Sequence, residues 1–302
     1  MMRKSLRKIT DGNRTGYFFV LPALVFMIVF IGFPIVYNFV LSVCNENVMT
    51  IGQHTEKFIG LQNYTTLLKN STMQISIINT IIFTAGSIAL QFVIGFALAL
   101  LFNLNFALSK VIRGILLISW MIPVTVTALL FKFMLSPSGG IIDSILLNLH
   151  LISKPLDFFV SSGMAMPSVI MVNVWIGIPF NMILLTTGLS NISVTLYEAA
   201  EVDGANVFER FLHITIPQMR ASMLSVIILG VIYTFKVFDL VFVSTGGGPV
   251  NATELMSTYA YRLSFSQFSF SQGAAAANIL FIMLFIVGLL YIRLIGKDEV
   301  IE

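Results

Sequence analysis

Six long apolar runs alternate with polar interludes along the 302-residue chain. The runs cover about residues 17–44, 74–103, 111–135, 165–190, 221–245 and 274–295. Each reaches the roughly 20 residues that an α-helix needs to cross a bilayer core. Helices are expected because hydrocarbon cannot satisfy exposed backbone groups. Pro22 stands near the start of the first run and Pro34 inside it, which predicts a kink. A secretory leader also starts with basic residues, but its apolar core, roughly 7–15 residues, is shorter than this run. The pattern predicts an all-α, polytopic membrane protein with six transmembrane helices. Residues 1–16 form a cytoplasmic N-terminal segment, 17–296 the transmembrane domain and 297–302 a cytoplasmic tail.

The interlude at about 191–219 differs from the others. Four acidic residues (Glu198, Glu201, Asp203 and Glu209) fall within twelve positions. Thr195 and Glu198 have the spacing of a reciprocal N-terminal cap, and Asn206 and Glu209 repeat it. Asp203-Gly204 predicts a helix stop, because glycine takes the left-handed backbone that ends a helix. Pro217 limits the second segment. Two short helices at an angle are expected, with the small residues Ala199, Ala200 and Ala205 near the bend. In the third loop, Pro137 to Gly140 precede an apolar stretch to Ile152, long enough for a short helix along the outer surface. Thr245-Gly246-Gly247-Gly248-Pro249 reads as a flexible turn.

Composition supports the membrane assignment: 57% of residues are hydrophobic and 10% charged, against about a quarter charged in soluble domains. One cysteine, Cys44, and three scattered histidines offer neither an intramolecular disulfide nor a metal cluster. No nucleophile–base pair is apparent, so an enzyme is not expected, and no bound cofactor is expected either. No G-x-x-x-x-G-K-[ST] segment occurs, so the chain carries no phosphate-cradling loop of its own. The net charge of +3 suits loops that face the cytoplasm, not a nucleic-acid surface. Eleven Lys and Arg residues fall at the termini, the turn at 110–113 and the acidic interlude; four fall in the other loops. This bias places both termini and the acidic interlude in the cytoplasm.

Glu198-Ala199-Ala200, then Asp203-Gly204-Ala205, with Ile214-x-Ile216-Pro217 ten residues after the glycine, resembles the EAA loop of ABC importer permeases. Ile216 stands where that family often has Leu. Phe58-Ile59-Gly60-Leu61-Gln62-Asn63-Tyr64, Trp120-x-x-Pro123, Trp175 to Phe180, Thr245 to Pro249 after Phe238-Asp239, and Tyr259-x-Tyr261 with Phe265 extend the resemblance over most of the chain. They are similar to the carbohydrate-uptake branch, the maltose, multiple-sugar and glycerol-phosphate type permeases. The resemblance implies a type I ABC importer permease fold in a bacterial or archaeal cytoplasmic membrane. The implied partners, besides membrane lipid, are a second homologous permease, two cytoplasmic ATPases that use the ATP, and an external solute-binding protein. In the loop it implies that Ala199, Ala200 and Gly204 fit a cleft of the ATPase, that Glu198 and Asp203 cap and pair, and that Phe208 and Phe211 pack against the membrane helices.

Amide side chains inside a span are costly and mark candidate sites. Asn173, Gly177, Phe180, Asn181 and Leu184 lie on or near one face of the fourth helix, and Gly230, Tyr233, Thr234 and Val237 repeat the spacing on the fifth. Trp175 and Phe180 are placed to stack on the apolar face of a sugar. Amides and small residues also join helices to one another, which is the structural alternative. Lys236 and Asp239 stand three apart and could pair; they and Lys132 are read as structural. The competing classes are an ion-driven secondary carrier, a non-transporting scaffold, and an importer of a non-sugar solute such as glycerol 3-phosphate. A secondary carrier would want buried acidic groups near the midplane and an internal repeat, and neither is visible.

Overall fold

A computed structural model of the chain describes residue 17 and residues 19–50, 53, 57–104, 106–137 and 139–298, the last five as backbone alone. The basic segment 1–16 and residues 299–302 lie outside the described residues. In chain order the helices are α1 (Phe19–Ser42), α2 (Gln62–Lys69), α3 (Ser71–Asn103), α4 (Ser109–Met121), α5 (Val124–Met134), α6 (Ile141–Asn148), α7 (Ser162–Ser190), α8 (Val194–Val202), α9 (Val207–Gln218), α10 (Arg220–Phe235), α11 (Asp239–Ser244), α12 (Met256–Tyr261) and α13 (Phe270–Asp298). Among the described residues the one β pairing is an isolated bridge between Cys44 and Phe58. Among the described residues four helices are long and apolar enough to cross a membrane, or six if each of two bent pairs is one span. The chain divides into two compact units.

The first unit takes residues up to Leu67 and Arg262–Asn278. In α1, the turn Ile28–Gly32 is widened, and the Phe33 N–H bonds to the Ile28 carbonyl, five residues back. Pro34 follows. Proline lacks an N–H and crowds the carbonyl four residues earlier, and a wide turn absorbs that mismatch. The Phe58–Tyr64 segment starts α2 and closes the end of α1: Asn63 Nδ2 donates to the Ser42 and Cys44 carbonyls, both at 2.8 Å. The Tyr64 hydroxyl lies 2.7 Å from that of Ser42 and accepts from Asn278 Nδ2 at 3.0 Å. The motif therefore has a structural task, satisfying carbonyls that a helix end leaves open.

The second unit takes Leu68–Tyr261 and the chain from Ile279. Asn70 caps α3, its side chain accepting from the Thr72 and Met73 amides. α3 packs closely on α7. Gly95 leaves room for Asn181, whose Cβ would lie 2.7 Å from a Cβ at 95, and Gln91 faces Gly177 at the same sequence offset. Phe83 clusters with Val169 and Val172, and Ala99 with Leu185 and Leu189. Contacts that rise together in residue number mean that α3 and α7 run parallel. Two parallel spans need one return crossing between them, so the bent pair α4–α5 carries the chain back across.

The apolar run at 111–135, expected as one span, is a bent pair. Its halves meet at 96° around Ile122–Pro123. Ile122 is extended, with φ −69° and ψ 131°, as the residue before a proline tends to be. The run 221–245 is also divided: α10 ends at Phe235, Lys236 to Phe238 break the helix, and α11 starts at Asp239. Lys236 and Asp239 form no ion pair among the described contacts; the Lys236 ammonium stands 5.5 Å over the Tyr233 ring. Lys132 Nζ donates to the Val243 carbonyl at 3.0 Å, in the last turn of α11, where a cation is favourable.

The glycine turn after α11 is not loose. Gly246 and Gly247 take φ of +61° and +87°, and the Thr253 hydroxyl donates to the Gly248 carbonyl at 2.6 Å. The buried Glu254 carboxylate sits where a Cβ on Gly247 would be. Asn79 Nδ2, near the start of α3, donates to the Asn251 and Glu254 carbonyls. The turn thus lies at the α3 N-terminal end. The acidic interlude follows the C-terminus of the parallel α7, at the opposite end of the unit.

Candidate functional site

Between the two apolar clusters on α3 and α7 lies a cavity of about 320 Å³. Of the nine positions in the two stripes on the fourth and fifth helices, eight line it: Asn173, Gly177, Phe180, Asn181, Gly230, Tyr233, Thr234 and Val237. Gln91 from α3, Trp120 and Val124 from either side of the α4–α5 bend, and Ile176 complete the wall. No charged side chain lines it. The rings of Trp120 and Phe180 stack with centroids 5.8 Å apart, and Tyr233 meets Phe180 edge-on at 6.0 Å. Trp175, expected to stack on a sugar face, does not line the cavity; its ring packs edge-on against Phe131. Leu184 packs with the lower apolar cluster and does not line the cavity.

The amides are held from the backbone. Asn181 Nδ2 donates to the Gly177 carbonyl at 2.9 Å, and Gln91 Nε2 to the Asn173 carbonyl at 2.8 Å. Asn173 Nδ2 is buried with no hydrogen-bond partner, its residue only 6% exposed. Leaving such a donor unmade costs roughly 1–3 kcal/mol, so a polar atom entering the cavity would relieve a standing penalty. Gln91 was readable in principle as a lone amide in an apolar span. A second opening, about 380 Å³, lies between α3 and α10. It is walled by Ile81, Ile88, Phe92, Ile227 and Val231, with Thr84 as its one hydroxyl. It suits an acyl chain or a neighbouring helix better than a hydroxylated solute.

At the opposite end from the glycine turn, α8 and α9 form the two short helices expected there. Val202 is the last residue of α8 and Gly204 takes φ +83°. The Ala205 amide bonds to the Ala200 carbonyl at 2.9 Å and the Gly204 amide to the Glu201 carbonyl at 3.1 Å, the double bond pattern of a glycine C-cap. The Asn206–Glu209 cap is reciprocal, at 2.9 and 2.7 Å; such caps contribute about 1 kcal/mol. The expected Thr195–Glu198 cap does not form. The helix starts at Val194 with Ser193 in the cap position, so Thr195 is already inside the first turn. Its hydroxyl lies 2.7 Å from that of Ser193.

Asp203 is the last turn's cap residue and pairs with no cation in the described contacts; the pair that forms is Glu201–Arg210 at 3.1 Å, exposed and hence worth little. Before Pro217 the chain again widens over Phe211–Thr215, and α9 meets α10 at 62°. Phe211 packs on Phe96 of α3, with centroids 6.1 Å apart, as expected. Phe208, expected to pack against the membrane helices, is 68% exposed and, with Val202 (89%) and Val207, leaves an uncovered apolar surface.

Residues 91–297 match the family model described as the inner membrane component of binding-protein-dependent transport systems. The chain belongs to this family. The permease is 31% identical over 280 residues to the trehalose/maltose transport system permease protein MalF of Thermococcus litoralis, covering 93% of each chain. It is 30% identical to the diacetylchitobiose uptake system permease protein DasB of Streptomyces coelicolor, covering 95% of this chain and 88% of that one. Its fold superposes on a chain of a bacterial alginate ABC transporter crystallised with an alginate pentasaccharide-bound periplasmic protein, with a TM-score of 0.80, 22% identity and 95% of both chains covered. The permease thus has the type I fold of ABC importers. The parallel α3–α7 pair, the cavity beside it and the exposed α8–α9 elbow are parts of a transport subunit.

Proposed function

We propose that the permease forms half of the pathway of an ATP-driven importer for a neutral mono- or oligosaccharide. The observation that carries this reading is the cavity wall: three aromatic rings, one of them the phenol of Tyr233, beside three carboxamides and the Thr234 hydroxyl, with no charged group among the lining residues. Rings offer an apolar face to a sugar ring, and amides pair with hydroxyls as donors or acceptors. The names of the relatives, for trehalose and maltose or for diacetylchitobiose, point the same way. A phosphorylated solute would want cations in the wall, and Lys236 stands outside it over Tyr233.

The α8–α9 elbow docks a cytoplasmic ATPase. Its exposed apolar residues and the lack of a phosphate-binding loop in the chain support a separate motor. A second permease completes the pathway, two ATPases drive it and a solute-binding protein delivers the sugar from outside. Both termini and the elbow lie in the cytoplasm. ATP closes the motor, moves the elbow and rocks the helices between inward- and outward-open states; the solute shifts that equilibrium only by its differential affinity for the two. Uptake by a strain deleted for this gene, measured with labelled maltose, trehalose, diacetylchitobiose and glycerol 3-phosphate, tests the solute class. Loss of a neutral saccharide alone is the expected result. Loss of glycerol 3-phosphate alone, or ion-driven transport by the purified chain, would contradict it.

A further inference from the structure

Gln91 enters the cavity from α3, whereas the other two amides belong to α7. It is 4% exposed, and its Nε2 donates at 2.8 Å to the Asn173 backbone carbonyl. Its carboxamide occupies the space over Gly177: a Cβ there would overlap Cδ, Nε2 and Oε1 of Gln91. The glycine is thus a notch and the glutamine head group its plug. Because Gln91 takes the Asn173 carbonyl and not its side chain, Asn173 Nδ2 stays buried and unpartnered at the cavity wall.

We propose that Gln91 is a size-selecting residue of the permease. Seated in the Gly177 notch and tied to the Asn173 carbonyl, its carboxamide limits how much solute the cavity admits and leaves the Asn173 amide for a solute oxygen. The proposal rests on the cavity being the solute seat. Truncation to alanine removes four heavy atoms from the wall, so the Gln91→Ala cavity accepts a bulkier solute. It also frees the notch, so Gly177→Ala, which collides with the native glutamine, is tolerated once Gln91 is alanine.

The test uses the assembled transporter in membrane vesicles, with Cys44→Ser removing the single native thiol and Asn173→Cys supplying a reporter in the wall. Labelling rates are compared for a small and a bulky methanethiosulfonate. Gln91→Ala is expected to raise the bulky-to-small ratio about tenfold or more, the discrimination a methylene-sized change in a pocket commonly gives. A purely structural role would change both rates alike, and an unchanged ratio overturns the proposal. In the Asn173 background, maltose and maltotriose uptake is then compared for Gln91→Ala and Gln91→Ala/Gly177→Ala. A shift toward the trisaccharide, reversed by refilling the notch with the alanine at 177, supports size selection; equal preference in all variants overturns it. If the native chain moves neither sugar, the labelling ratio alone decides the role of Gln91, and the saccharide reading is judged separately by the uptake panel on the deletion strain.

Discussion

Gly204→Asp is expected to abolish uptake and solute-stimulated ATP hydrolysis while leaving the chain inserted and folded. Gly204 holds φ +83°, which costs an L-residue about 1–2 kcal/mol, less for aspartate than for most. A Cβ at 204 meets nothing within 4 Å. The chain itself therefore has room for the side chain, and the local penalty is too small to unfold six spans. The large effect comes from the docked motor. An unpaired carboxylate buried in an interface costs roughly 3–5 kcal/mol, or more than about a hundredfold in affinity. Membrane insertion followed by protease protection, uptake, and ATPase stimulation separate the two effects. Gly204→Asn, which tolerates the left-handed backbone without adding charge, is expected to keep most of the uptake. Normal uptake in Gly204→Asp would remove the elbow from the coupling path.

Asn173→Leu is expected to lower uptake at least tenfold while the thermal stability of the detergent-solubilised complex holds or rises. A structural amide behaves the other way: removing one partner of a made hydrogen bond destabilises. Asn173 Nδ2 makes none, so its removal relieves roughly 1–3 kcal/mol of unmet polarity. The Gln91 bond survives, because it ends on the backbone carbonyl. A fall in stability with unchanged uptake per folded molecule would mark Asn173 as helix glue and not a solute contact.

Much of this architecture was written in the apolar periodicity, because a bilayer demands long uninterrupted helices. The breaks within the runs were harder to see. Pro123 forces Ile122 out of the helical region and turns the third crossing by 96°, but an apolar run looks the same whether bent or straight. The interruption after Phe235 carries no proline or glycine at all; Lys236 to Phe238 leave the helix while Lys132 from α5 holds the next segment by its Val243 carbonyl, a contact between distant parts of the chain. Asp203-Gly204 and Asn206–Glu209 were legible because caps are local. Thr195–Glu198 misled because Ser193, two residues earlier, took the cap position. On α7 and α10 the helical spacing found the cavity residues, whereas Gln91 stood outside both stripes. Its importance rests on Gly177, which only the packing of α3 on α7 reveals.

The most direct test places a photo-crosslinking residue at Val202, which is 89% exposed at the end of α8, and irradiates intact cells that express the whole transporter. The expected result is an adduct between this position and a cytoplasmic ATP-hydrolysing subunit, lost in Gly204→Asp. An adduct with an external protein, or none with an ATPase in cells that import solute through this permease, would contradict it.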